Sequence, residues 1–120
     1  MISYLADIVV ALVAISHLGF LLLEMFLWEK PLGLRVFRQT TERAAITRVL
    51  AANQGLYNGF LAAGLLWGLI LGAEGGAIKI FFLACVIIAG VFGAATVSRR
   101  ILWIQAAPAA LGLILVLAAN

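Results

Sequence analysis

The sequence predicts an all-α integral membrane fold: a four-transmembrane-helix bundle, antiparallel and up-down, with both termini outside. Three observations carry this expectation. Of the 120 residues, 66% are hydrophobic and 11% charged, and the mean hydropathy is +1.20, well outside the usage of a soluble domain of this size. The apolar residues fall in four long runs, each close to the roughly 20 residues a helix needs to cross a hydrocarbon core about 30 Å thick. The cations gather in two of the three connections between those runs, as they do in loops held on the cytoplasmic side.

The first run covers about 4–28 and closes at the turn-forming Lys30-Pro31-Leu32-Gly33. It has neither the basic start nor the small-residue cleavage site of a signal peptide, and it carries Asp7, His17 and Glu24, so it reads as a retained helix. A polar and basic stretch, 35–48, follows. The second run, about 45–71, ends at Gly72-Ala73-Glu74-Gly75-Gly76, a turn short enough to join only antiparallel neighbours. The third covers about 77–97, where Arg99 and Arg100 interrupt it. The fourth fills 101–119, with Pro108 near its middle. Proline lacks a backbone donor and frees the carbonyl of Ile104, so this helix is expected to bend. The whole chain, 1–120, is one such domain.

Orientation follows from the connections. Lys30, Arg35, Arg38, Arg43 and Arg48 lie after the first run and Arg99 and Arg100 after the third, against Lys79 alone on the other side. Loops 29–48 and 98–101 are therefore expected on the cytoplasmic face of a bacterial inner (plasma) membrane. Tyr4, Trp28, Trp67 and Trp103 fall near run ends, where amphipathic rings sit at the headgroups. The net charge of +3 is accounted for by these loops and implies no nucleic acid. Cys85 stands alone in an apolar run with no second cysteine, which excludes a disulfide or zinc cluster and reads as a buried, inert thiol.

Small residues recur at four-residue spacing: Gly55, Gly59 and Ala63; Gly64, Gly68 and Gly72; then Ala89 and Gly93. Where lipid leaves no hydrophobic force between helices, such stripes allow close backbone approach. Two stripes on the second helix point to packing on two sides, in a tight bundle or with a second copy.

Ionisable groups in hydrocarbon cost several kcal/mol unless paired. His17 and Glu24 are seven residues apart, on one helix face and about 10.5 Å apart along the axis. Asp7 lies near the outer surface, where snorkelling to water accounts for it. Asn53, Gln54, Tyr57 and Asn58 form one polar patch on the second helix. Counting depth from the cytoplasmic ends sets Glu24 against Arg48, Asn53 or Gln54, and His17 against Tyr57 or Asn58. These seven residues are the candidate ligand-binding set, with His17 suited to proton exchange and Glu24 to holding a cation or a donor. The alternative is that they satisfy one another as interhelical glue. One His and one carboxylate offer at most two ligands, so no metal site is expected.

Leu23-Glu24-Met25-Phe26-Leu27-Trp28 and Ala52-Asn53-Gln54-Gly55-Leu56-Tyr57-Asn58-Gly59-Phe60-Leu61-Ala62-Ala63-Gly64-Leu65 resemble the two signature segments of a bacterial family of small four-helix membrane proteins. That family is known only as a domain of unknown function, and with the hydropathy layout the likeness covers essentially the whole chain. A more distant resemblance is carried by Arg48-Val49-x-x-Ala52-Asn53-Gln54, followed by Phe60-Leu61-Ala62 and Trp67, and by Arg35-x-Phe37-Arg38. These are similar to the second helix and first connection of the superfamily of membrane-associated proteins in eicosanoid and glutathione metabolism. That resemblance implies four helices, termini away from the cytoplasm, and homotrimers with lipid or glutathione sites between subunits. The chain departs from the glutathione-using members where Leu56 replaces a carboxylate and where the third helix offers Phe92, Thr96 and Ser98 instead of tyrosines. Arg48 and Asn53 match the motif, and Arg99 or Arg100 stand where a thiolate could be stabilised.

The expected function is to bind a lipid-like or amphipathic small molecule in an intramembrane polar pocket between the first two helices, with Arg48 at the headgroup side. The rival readings are an oligomeric transporter or proton-coupled carrier, a structural membrane component, and a glutathione-dependent membrane transferase. A carrier needs at least a dimer, since 120 residues show no inverted repeat. The partners expected are membrane lipids, a small amphipathic ligand and further copies of the chain as a trimer or dimer. No nucleophile-and-base pair, phosphate loop or cofactor motif appears, so no catalytic residue or cofactor is named.

Overall fold

Long apolar runs free of strand-like alternation leave helices as the only regular structure available to this chain, and a computed structural model of residues 1–120 is helical throughout. Five α-helices follow one another: α1 (Ile2–Met25), α2 (Pro31–Phe37), α3 (Thr41–Ile70), α4 (Gly76–Thr96) and α5 (Ala107–Ala119). A 3₁₀ turn, Gly72–Gly75, precedes α4, and a π-helical turn, Leu102–Ala106, precedes α5.

Local chemistry sets the ends. Pro31 stands at the first turn of α2 and holds Lys30 extended (φ −83°, ψ 161°), so α1 cannot run on into α2. Arg38 then ends α2 in the left-handed region (φ 53°, ψ 50°). The α3 helix starts at Thr41 because Thr40 Oγ1 accepts the Arg43 N–H at 3.2 Å, an N-cap. It ends where Gly72 takes φ +61°, a conformation free of steric cost only without a Cβ. Before α5, the Ala107 N–H reaches back to the Leu102 carbonyl, five residues earlier. This wide turn lies against Pro108, which has no N–H to give Ile104, and it is how the expected bend is realised.

Two expectations shift here. The polar stretch after the first run, expected as a loop, holds α2 and the first turns of α3. Hydropathy alone cannot see this, because those turns are charged and lie outside any apolar run. The first helix stops at Met25 rather than at Trp28, since Trp28 lies in the turn that leads to Pro31.

The chain forms two compact units: residues 1–15 together with 61–120, and residues 16–60. The first has a core of Ala6, Val10, Val13 and Ala14 from α1, Leu65 from α3, Leu83 and Val86 from α4, and Ala109 and Val116 from α5. Its glycines let helices touch. A Cβ on Gly64 would overlap the Phe82 ring, one on Gly75 would overlap the Gly68 carbonyl oxygen, and one on Gly68 would lie 3.2 Å from the Lys79 backbone nitrogen, so α3 approaches the 3₁₀ turn and the start of α4 backbone to backbone. In the second unit, a Cβ on Gly55 would lie 2.6 Å from Met25 Cγ and 3.1 Å from Glu24 Cβ, and one on Gly59 2.7 Å from Leu21 Cδ1. The two stripes on α3 thus serve two different neighbours, α1 through Gly55 and Gly59 and α4 through Gly64 and Gly68.

Three segments are long and apolar enough to cross a membrane: Ile2–Met25, Gly72–Thr96 and Leu102–Ala119. Only 22% of each is buried inside the protein, and the exposed remainder includes Ile8, Leu12, Phe81, Ile88, Phe92 and Ile114. Apolar surface of that extent is compatible with lipid, not water, as its solvent. The α3 helix, though 30 residues long, is not among the three, because Asn53, Gln54, Tyr57 and Asn58 dilute its apolar run.

Candidate functional site

Within residues 16–60, the Gly55 and Gly59 notch draws α3 onto the second half of α1, and the polar side chains sort themselves around it. Asn58, 5% exposed, donates from Nδ2 to Glu24 Oε1 at 2.5 Å. This amide-carboxylate pair is one part of the proposed set that the fold brings together. The expectation that Glu24 meets Arg48, Asn53 or Gln54 is corrected: its partner lies about one turn further along α3. The reason is register, because Glu24 Cβ sits beside Gly55 and its carboxylate reaches past that glycine to Asn58.

Arg48 instead places Nη1 4.0 Å from Glu29 Oε1, both side chains being open to the surroundings (68% and 39% exposed). Asn53 turns back on its own helix and donates to the Val49 carbonyl at 3.2 Å. Gln54 and Tyr57 are exposed, with the Tyr57 ring 6.0 Å from that of Phe60. His17 is 1% exposed and packs edge-on against Phe20 at 5.1 Å. The patch expected as one surface is therefore divided into an inner pair, Glu24 and Asn58, a buried His17, and an outward row of Arg48, Asn53, Gln54 and Tyr57.

The end of this unit is tied by aromatic and hydroxyl contacts. Trp28 Nε1 donates to Thr47 Oγ1 at 3.2 Å, Thr47 donates in turn to the Arg43 carbonyl at 2.8 Å, and Trp28 stacks obliquely on Phe37 at 4.8 Å. Gly33 completes the closure, since a Cβ there would overlap the Leu27 carbonyl oxygen.

The unit of residues 1–15 and 61–120 holds a site that sequence reasoning missed. Lys79, in the first turn of α4, is 8% exposed, and its Nζ lies 3.0 Å from Asp7 Oδ1. Gly68 makes room for the lysine stem, because a Cβ there would stand 2.7 Å from Lys79 Cγ. The pair borders an open cleft of about 320 Å³ among Ser3, Tyr4, Gly76 and Asn120. The sequence alone accounts for Asp7 by snorkelling and for Lys79 only as the one cation on its side. The signal that could have joined them is their opposite charge at similar distances from the ends of two apolar runs.

An all-helical chain with three helices of membrane-crossing length and composition, carrying paired ionisable groups within them, is compatible with a membrane protein. More particularly, the chain belongs to the family described as Protein of unknown function (DUF1304), whose model matches residues 11–117. The matched span takes in His17, Glu24, Asn58 and Lys79 and leaves Asp7 outside. No curated protein and no solved structure matches the chain.

Proposed function

We propose that the chain is a small four-pass protein of a bacterial inner membrane, with loops 29–48 and 98–101 cytoplasmic and both termini outside, that binds a lipid-like amphipathic molecule against the polar face of α3. The fourth pass is α3 itself, whose 30 residues extend about 45 Å and exceed the hydrocarbon thickness. The observation that carries this reading is the outward row: Arg48, Asn53, Gln54 and Tyr57 are all exposed. In hydrocarbon an uncovered amide costs several kcal/mol, so a spanning α3 calls for something amphipathic, or a further copy of the chain, over that row. An anionic headgroup would sit by Arg48 and its tail along the neighbouring apolar surface of α3, at Val49, Leu56 and Phe60. Support also comes from the likeness of Arg48, Ala52, Asn53 and Gln54 to the superfamily in which ligands lie between the subunits of a trimer.

Native mass spectrometry of gently extracted protein tests the proposal. The expected result is a trimer or dimer that carries a lipid-like adduct, with the adduct lost in a Gln54→Leu, Tyr57→Phe double variant that still folds. A monomer with nothing bound would overturn it. A second reading, that of a structural component, is favoured by the way Glu24 and Asn58 satisfy each other. Glu24→Gln tests the structural role, since Glu24 lies outside the proposed binding row: lower stability with any adduct retained supports it, and unchanged stability counts against it.

A further inference from the structure

We propose that the cleft beside Asp7 and Lys79 seats the headgroup of a zwitterionic phospholipid that bears a primary ammonium, with the phosphate on Lys79 and the ammonium on Asp7. The proposal rests on the membrane reading above but not on the α3 face. Four observations support it, all within the unit of residues 1–15 and 61–120.

The first is place. The cleft is bordered by the start of α1, the start of α4 and the end of α5, the ends of all three membrane-length segments, where headgroups meet helix termini. Tyr4, on its rim, is 75% exposed, as an interfacial ring would be. The second is spare capacity. An ammonium has three donors, and Lys79 commits one to Asp7 Oδ1. The carboxylate, 47% exposed, keeps acceptor positions open to a ligand.

The third is charge balance. A ligand that was only anionic would be drawn to Lys79 and repelled by a carboxylate oxygen 3.0 Å from it. A headgroup with both signs complements the pair without breaking it, and a primary ammonium, unlike a quaternary one, can donate hydrogen bonds to Asp7. The fourth is size. About 320 Å³ is at the lower end of small-molecule sites, roughly 300–1,000 Å³, which suits a headgroup whose tails remain in the bilayer.

The test uses the full chain in detergent micelles, with native mass spectrometry of lipid adducts from equimolar dioleoyl phosphatidylethanolamine, phosphatidylcholine and phosphatidylglycerol, and separately with soluble phosphoethanolamine. The wild type is expected to retain phosphatidylethanolamine over phosphatidylglycerol by roughly fivefold, the weight of one exposed charge pair, and over phosphatidylcholine by a similar factor, the weight of one hydrogen bond to Asp7. Asp7→Asn keeps an acceptor for Lys79 but removes the negative charge, so its preference should move to phosphatidylglycerol. Lys79→Gln leaves Asp7 to hold the ammonium but removes the phosphate's donor, so total lipid retention should fall while phosphatidylglycerol stays disfavoured. A purely structural pair predicts an unchanged preference in Asp7→Asn and unchanged retention in Lys79→Gln, and helical circular dichroism identifies any variant that has not folded.

Equal retention of the three lipids by the wild type, or an unchanged preference in folded Asp7→Asn, would overturn the proposal. Soluble phosphoethanolamine held as tightly as the lipid would also overturn it, by assigning the cleft to a free solute. A carbonate wash of membranes keeps the underlying reading separate: release of the chain into the soluble fraction sinks the membrane assignment, whereas retention without lipid selectivity sinks only the headgroup site.

Discussion

Two of the paired ionisable groups of this chain, Glu24 and Lys79, are built in opposite ways. Glu24 is met by a neutral amide, Asn58, from a helix drawn close by glycine notches that face side chains. Lys79 is met by a full opposite charge, Asp7, where α3 and α4 touch backbone to backbone and a cleft lies open beside the pair. The first arrangement sets a buried amide on a half-buried carboxylate. The second keeps donors and acceptors available and borders an open cleft. The polar residues most conspicuous in the sequence are thus not those beside the cleft.

The largest effect that would sharpen this contrast concerns the glycines. At Gly75 an added methyl overlaps the Gly68 backbone carbonyl, which cannot step aside, whereas at Gly55 it meets the Met25 side chain at Cγ, 2.6 Å away, with the nearest backbone atom, the Leu21 carbonyl oxygen, at 3.3 Å. Gly75→Ala should cost about 3 kcal/mol of stability and Gly55→Ala nearer 1 kcal/mol, read from denaturant titration in mixed micelles followed by circular dichroism. Equal losses would remove the distinction between a rigid and a yielding contact.

A smaller effect is expected at the ion pair, and it should be lopsided. Asp7→Ala leaves Lys79 buried without a partner and should cost about 2 kcal/mol, less than the loss for a fully buried pair because Asp7 is half open. Lys79→Met leaves only a half-exposed carboxylate and fills the same space with an apolar chain, so its cost should stay below about 1 kcal/mol. The same titration checks both, and a reversed order would show that Lys79 is not the desolvated member.

The smallest effect compares two asparagines on one helix. Asn58→Leu removes the partner of Glu24 and should cost about 1–2 kcal/mol. Asn53→Leu removes only a bond to its own helix backbone and should change stability by less than about 0.5 kcal/mol. If Asn53→Leu were the more damaging, the outward row would have to be covered by protein already.

How much was legible beforehand depended on the range of the interaction concerned. Apolar runs are a local property, so the all-helical character could be read directly, and three of the four expected runs reappear as segments of membrane-crossing length and composition. The start of α3 at Thr41 was hidden because its first turns are charged, although the Thr40 cap was present in the sequence. Sequence depth brought Glu24 to the right helix and missed its partner by about a turn, since the offset is set by which glycine α1 settles against. Asp7 and Lys79 are separated by 72 positions along the chain, and only the folded arrangement of α1 and α4 makes them neighbours.

The wide turn at Leu102–Ala106 has a consequence for how α5 is aimed. That helix is apolar on every side, so water-avoidance gives it no preferred rotation. A π-helical turn contains one residue beyond the ordinary count and so advances everything after it by about 100° around the axis. The small side chains of Ala109 and Gly112, with Val116 after them, are the ones turned inward, and Gly90 of α4 lies against Ala106 at the turn's last residue. The turn acts as a phase setting for a featureless rod, selecting by geometry an inner face that composition leaves undefined.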